Sequence, residues 1–295
     1  MNVDHFFTIG TVHQALSRPC EDYALSDALP NGMLFGVVTD GCGGANAHTD
    51  VGARALAWAF KQALVSENAA AGEQFGAGFH ASLLKTFRQY QYPGTSGDYM
   101  ATLVGFAGTD DDVAVYVQGD GALAISYADG TLRLVEFVWR ANKPFYLNYY
   151  LYPNALTQFE DECAAATVPP FRRVTTVKAP GSEAVPAPTV ESFTFQEAQD
   201  TRVMRFKPRE EGIVSMAVVT DGIAQWGSQA SIAAAEECLA FKNSQGDFVK
   251  RRMRRALKTT QGAGHLPQDD IGIAAAWFGH AAPAPAAQPE NKEQS

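Results

Sequence analysis

MLFGVVTDGCGG, residues Met33 to Gly44, is the stretch from which this chain is best read. Its first seven residues are apolar or β-branched and read as a buried strand. The strand ends on Asp40, and Gly41-Cys42-Gly43-Gly44 follows as a glycine loop in which backbone can approach a ligand closely. A second stretch repeats the design: IVSMAVVT, Ile213 to Thr220, is another apolar run that ends on Asp221-Gly222. Two strand ends thus each deliver an aspartate into a turn.

Downstream of the first loop, Val51, Ala55, Leu56, Ala59, Phe60 and Leu64 recur at helical spacing from Asp50 to about Val65, and Phe75, Phe79, Leu83, Leu84 and Phe87 repeat the pattern. The period then changes. ATLVGFA, VAVYVQ, ALAISYA and TLRLVEFV between Ala101 and Val138 are separated by Asp- and Gly-rich turns, which predicts a meander of antiparallel strands. From 140 to 190, aromatics (Phe145, Tyr146, Tyr149, Tyr150, Tyr152) give way to a Pro-rich stretch, read as an insertion or flap of irregular structure. SFTF and RVMRF restore strand signals. Helical patterns cover about Gln229 to Phe241 and Asp247 to Leu257, and Asp269-Asp270 opens a last strand, IGIAAAWF. One domain over 1–280 is expected, with the Pro/Ala-rich tail 281–295 disordered.

The formal charge of -9 opposes association with nucleic acid or anionic lipid, which demand clustered Lys and Arg. The basic run Lys250 to Arg255 shares a helical pattern with Phe248, Val249, Met253 and Leu257, so it reads as a solvated helix face. Cys20, Cys42, Cys163 and Cys238 form no C-x-x-C pair, as expected of reduced thiols in the cytoplasm. The opening residues Met1 to Gly10 lack a basic stretch followed by an apolar one, and no apolar run reaches membrane-spanning length, so neither secretion nor membrane insertion is expected.

Four acidic positions share a context: Glu21-Asp22 before an apolar run, Asp40 and Asp221 at strand ends, and Asp269-Asp270 at a strand start. Mg²⁺ and Mn²⁺ favour carboxylate, carbonyl and water oxygens, and a pair of such ions can clamp the attacking and leaving oxygens of a phosphoryl displacement. The alternative for each aspartate alone is a turn cap, because Asp-Gly is a common turn dipeptide.

In order along the chain, these segments resemble the metal-dependent serine/threonine protein phosphatases of type 2C. The resemblance runs from Gly10 to Phe278. Its motifs stand here as Val38-Thr39-Asp40-Gly41-Cys42-Gly43-Gly44, Gly119-Asp120, Thr220-Asp221-Gly222 and Asp269-Asp270-Ile271-Gly272. Gly10-Thr11-Val12-His13 and Pro19-Cys20-Glu21-Asp22 fit a bacterial-like branch. The resemblance implies an α+β fold, a four-layer α-β-β-α sandwich of two antiparallel sheets flanked by helix pairs. It implies two Mn²⁺ or Mg²⁺ ions: Asp40 bridging both, the Gly41 carbonyl on one, Asp221 and Asp269 on the other, and Asp22 completing the site directly or through water. Asp120 would help bind a third, weaker ion, with a type I′ hairpin turn at Gly119-Asp120-Gly121 as the alternative. Between the paired acids, family position favours Asp269 as the ligand, and Asp270 stands where Asn is common. Arg18 is the candidate for phosphate binding, although it precedes Glu21 by three residues where four are usual. Cys42 replaces the His proposed as general acid in many members, and it lacks the C-x-x-x-x-x-R loop of thiol phosphatases.

The implied activity is hydrolysis of phosphoserine or phosphothreonine in a protein by a metal-activated water, opposite a cognate serine/threonine kinase. Departures at Cys42, Thr220 and Gly272 motivate an alternative, a catalytically inert pseudophosphatase that binds phosphoprotein or senses metal. A metal nuclease is opposed by the net charge and the lack of a basic groove.

Overall fold

The computed structural model describes residues 1–43, 48–68, 70, 72–91, 96–227, 229–262 and 265–279. The tail expected at 281–295, and Gly44 of the glycine loop, lie outside these residues. The chain opens with β1 (Asn2–Thr8), a short α1 (Thr11–Ala15), β2 (Asp22–Ala28) and β3 (Leu34–Gly41). Helices α2 (Thr49–Glu67) and α3 (Phe79–Tyr90) follow, then strands β4 (Ala101–Gly108), β5 (Val113–Gln118), β6 (Gly121–Tyr127) and β7 (Leu132–Trp139). Next come α4 (Pro153–Ala164), β8 (Phe171–Lys178), β9 (Thr189–Phe193), α5 (Phe195–Asp200), β10 (Val203–Phe206) and α6 (Pro208–Glu211). The chain continues with β11 (Ile213–Val219), α7 (Ser231–Leu239), α8 (Phe248–Gly262) and β12 (Ile271–Trp277).

The strands form two antiparallel sheets, ordered β1-β12-β11-β6-β7-β8-β9 and β10-β5-β4-β3-β2. Alternation along β3 shows how they stack. Phe35 and Val37 belong to the core shared with α2 and α3, whereas Val38 joins Val104, Leu123, Val218 and Ala274 between the sheets. A third cluster seats Ile232, Ala235, Val249 and Met253 of α7 and α8 on Ala217, Val219 and Ile273 of the larger sheet. The architecture is therefore the expected α-β-β-α sandwich. Gly105 permits part of this packing, because a Cβ there would come within 2.6 Å of the Phe60 ring. Among the described residues, no helix is long and apolar enough to cross a membrane.

Three expectations need correction. The four strands between Ala101 and Val138 exist, but they are not one meander. β4 and β5 pair in the smaller sheet and β6 and β7 in the larger, so Gly119-Asp120-Gly121 is a crossover between sheets and not a hairpin turn. Period-two patterning cannot distinguish a sheet change from a hairpin when both sides are buried. The 140–190 segment is not irregular: it contains α4, and β8 and β9 extend the larger sheet. Its strand FRRVTTVK has both faces partly wet, which weakened the apolar signal. Helix α3 starts at Phe79 and not Phe75. Phe75 takes φ 58°, outside the helical region, and its ring packs 4.7 Å from that of Phe79.

Candidate metal centre

β2 and β3 place Asp22 directly opposite Asp40 in antiparallel register, so both carboxyls leave the same face of the smaller sheet. Asp40 sits on the inter-sheet side, two residues beyond Val38, while Thr39 points the other way and donates to the Ala53 carbonyl of α2 at 2.9 Å. The larger sheet brings Asp221, which follows β11, and the crossover brings Asp120 from the end of β5. Hydrogen bonding links Asp40 to both Asp22 and Asp221, and the charge of Asp221 bears on Asp120. The two sheets thus deliver four carboxyls to one place.

Such crowding is unfavourable without a cation. Burial, and then the charges of Asp22, Asp221 and Asp120, push the Asp40 carboxyl well above the usual range. Burial first, then Asp221 and Asp270, does the same to Asp22, against the lowering effect of a hydrogen bond from Thr220. Asp120 is raised by burial and Asp221, and Asp221 reaches about 6 through burial and the neighbouring Asp269. Asp120 is 7% exposed and its Oδ1 has no hydrogen-bond partner. An all-oxygen set with excess negative charge and an orphaned buried oxygen fits hard divalent cations.

The acids beside these have different roles. Asp270, 2% exposed, accepts from the Gly10 amide at 2.7 Å and the Glu21 amide at 2.6 Å, and His13 Nδ1 lies 3.0 Å away. It ties β12 to the N-terminal segment. Asp269 is partly exposed; its Oδ2 accepts from Gln225 Nε2 at 2.7 Å and its Oδ1 from the Asp270 amide at 2.9 Å. Ligand atoms of His13, Asp269 and Asp270 fall within 4.8 Å of one another. Asp270, however, is already engaged by two amides. The Asp22 and Asp221 carboxyls are linked instead through Asp40.

Arg18 lies at the edge of this region, donating through Nη2 to Glu21 and to the Gly43 carbonyl at 2.9 Å. Glu21 is 1% exposed and its Oε2 lacks a partner; burial raises its carboxyl, opposed by Arg18 and His13. Gly41 must be glycine, since a Cβ would come within 2.6 Å of the Thr49 carbonyl. All the sequence-predicted residues therefore converge on these strand ends, with Asp269 and Arg18 at the margin.

Sequence reasoning missed three contributors. Thr220 Oγ1 donates to Asp22 Oδ2 at 2.6 Å and accepts from the Gly272 amide at 2.9 Å, joining two departures from the usual motif into one contact. Gln225 orients Asp269. Tyr146, 6% exposed, hydrogen-bonds Cys42 and faces Asp120 and Asp40; burial pushes its phenol upward. The aromatic run around Tyr146 was the available signal for the last.

The protein phosphatase 2C family model matches residues 9–268. No sequence among the curated proteins matches the chain. Similar solved structures include a bacterial serine phosphatase (TM-score 0.54, 14% identity, 94% of this chain and 98% of that one). The serine/threonine phosphatase Stp1 from Staphylococcus aureus is comparable, with TM-score 0.53, 13% identity and coverage of 94% and 95%. A C. elegans sex determining protein reaches TM-score 0.51 at 12% identity, covering 94% of this chain and 65% of that one. At these identities the structural likeness establishes the fold, and the match across residues 9–268 goes further: the chain belongs to the protein phosphatase 2C family.

Proposed function

We propose that the chain is a metal-dependent phosphoprotein phosphatase acting on phosphoserine or phosphothreonine. The observation that supports this most is the convergence of Asp22, Asp40, Asp120 and Asp221 from two sheets with their charge unbalanced. Two Mn²⁺ or Mg²⁺ ions bound there would lower the pKa of a bridging water for in-line attack and neutralise phosphoryl charge. Asp40, the Gly41 carbonyl, Asp221, Asp269 and Asp22 would hold these ions, and Asp120 would hold a weaker third one. Thr220 fixes the Asp22 carboxyl and Gln225 the Asp269 carboxyl, the positioning that ligating carboxylates need. Arg18, held between Glu21 and the Gly43 carbonyl, offers its remaining donors to phosphoryl oxygens. The substrate is a phosphorylated protein made by a cognate serine/threonine kinase.

Cys42, in the position of a general acid in many relatives, favours a second reading, an inert module that binds phosphoprotein or metal without turnover. Mn²⁺-dependent hydrolysis of an aryl phosphate and a phosphothreonine peptide separates the two. Turnover abolished by EDTA, Asp40→Asn and Asp221→Asn supports the phosphatase. A folded, metal-binding wild type without turnover selects the inert module.

A further inference from the structure

Beside Cys42 lies a cavity of about 300 Å³ between the 142–149 segment and α4. Cys42 and Met100 line it on the side of the metal centre, Tyr146, Tyr149 and Phe159 form its aromatic wall, and Lys143 and Glu162 lie at its edge. The wall is built rather than loose. Gln118 Nε2 donates to the Phe145 carbonyl at 2.7 Å and Trp139 Nε1 to the Gly119 carbonyl at 2.9 Å, tying the segment to the crossover that bears Asp120. The rings of Tyr146 and Tyr149 sit 5.6 Å apart, and those of Tyr149 and Phe159 5.4 Å.

We propose that this cavity receives an apolar or aromatic side chain next to the phosphoresidue of the protein substrate; this rests on the phosphatase reading above. Cations held by the carboxyl cluster, with Arg18, would fix the phosphoryl group and so where the substrate backbone passes. A neighbouring residue is one step of about 3.3–3.6 Å further along an extended chain, and Cys42 adjoins Gly41. The cavity has the size of a small ligand pocket. Among its described lining residues the cation is Lys143, which faces Glu162 at 3.5 Å in an exposed pair, so charge is balanced there and the aromatic wall selects.

The test uses two phosphothreonine peptides, with Phe or with Gly on both sides of the phosphothreonine, and an aryl phosphate, all with Mn²⁺. The wild type should favour the Phe peptide by about tenfold or more in kcat/KM, mostly through KM. Ala155→Trp, which fills the cavity from the partly exposed face of α4, should bring the two peptides within about threefold. Gln158→Trp, from the same helix, replaces it if circular dichroism shows the first variant unfolded. Equal use of the two peptides by the wild type, or a preference that survives filling, overturns the proposal. Turnover of aryl phosphate with neither peptide cleaved defeats the phosphoprotein reading and this pocket with it; no turnover on any substrate defeats the phosphatase reading itself.

Discussion

Asp270 and Asp120 are both buried carboxylates, 2% and 7% exposed, yet their surroundings are opposite. Asp270 has amides on both oxygens and an imidazole beside it, whereas Asp120 has an oxygen without a partner and other carboxylates for neighbours. Burying a charge is tolerable when donors replace water. Asp270 meets that condition within the chain and serves as structure; the Asp22–Asp40–Asp120–Asp221 cluster does not, and is where we propose that cations bind.

The comparison breaks most visibly at Asp270. Asp270→Ala strands the Gly10 and Glu21 amides and should cost about 3 kcal/mol or more in a urea unfolding titration, with Asp270→Asn recovering part of it. In the carboxyl cluster the sign reverses: Asp40→Asn removes repulsion, so the metal-free variant should be at least as stable as wild type. Mn²⁺ at about 100 times its Kd should add about 2.7 kcal/mol to the wild type and far less to Asp40→Asn.

His80 sharpens the comparison with a half-buried base. Both Tyr116 Oη, at 2.7 Å, and Arg202 Nη1, at 2.9 Å, approach its Nδ1, which therefore accepts and leaves the ring neutral. Burial, then Arg202, lowers its pKa from 6.5 to about 4. The unfolded chain binds this proton more readily, so stability should fall as pH drops from about 6.5 toward 4, by on the order of 2 kcal/mol. His80→Gln should flatten that part of a pH–stability curve. A smaller effect belongs to Thr220→Val, which removes the donor to Asp22: about 1 kcal/mol of stability and roughly tenfold in Mn²⁺ affinity, with Thr220→Ser close to wild type.

Much of this was legible in the chain. Asp40 and Asp221 could be placed because each ends a continuous apolar strand, a pattern that survives without knowing the partner strand. The sheet change at Gly119-Asp120-Gly121 was not legible, because strand pairing is nonlocal and a buried crossover has the glycines of a hairpin. Nor was Tyr146 over Cys42: which ring of the run Phe145 to Tyr152 meets the site depends on how the segment is anchored by Gln118 and Trp139. Asp269 and Asp270 are chemically identical in sequence, and the amides of Gly10 and Glu21, 260 and 249 residues away, distinguish them.

The most direct test of the central claim is calorimetric titration of the metal-free protein with Mn²⁺ at pH 6 and pH 8, in wild type and Asp40→Asn. The raised carboxyls, Asp221 at about 6 among them, must lose protons before they ligate, so affinity should strengthen with pH and binding should release protons. In Asp40→Asn the strong binding should disappear. Wild-type protein that binds no Mn²⁺ at either pH, or a variant that binds it as well as wild type does, would contradict the assignment of these four carboxyls as a metal centre.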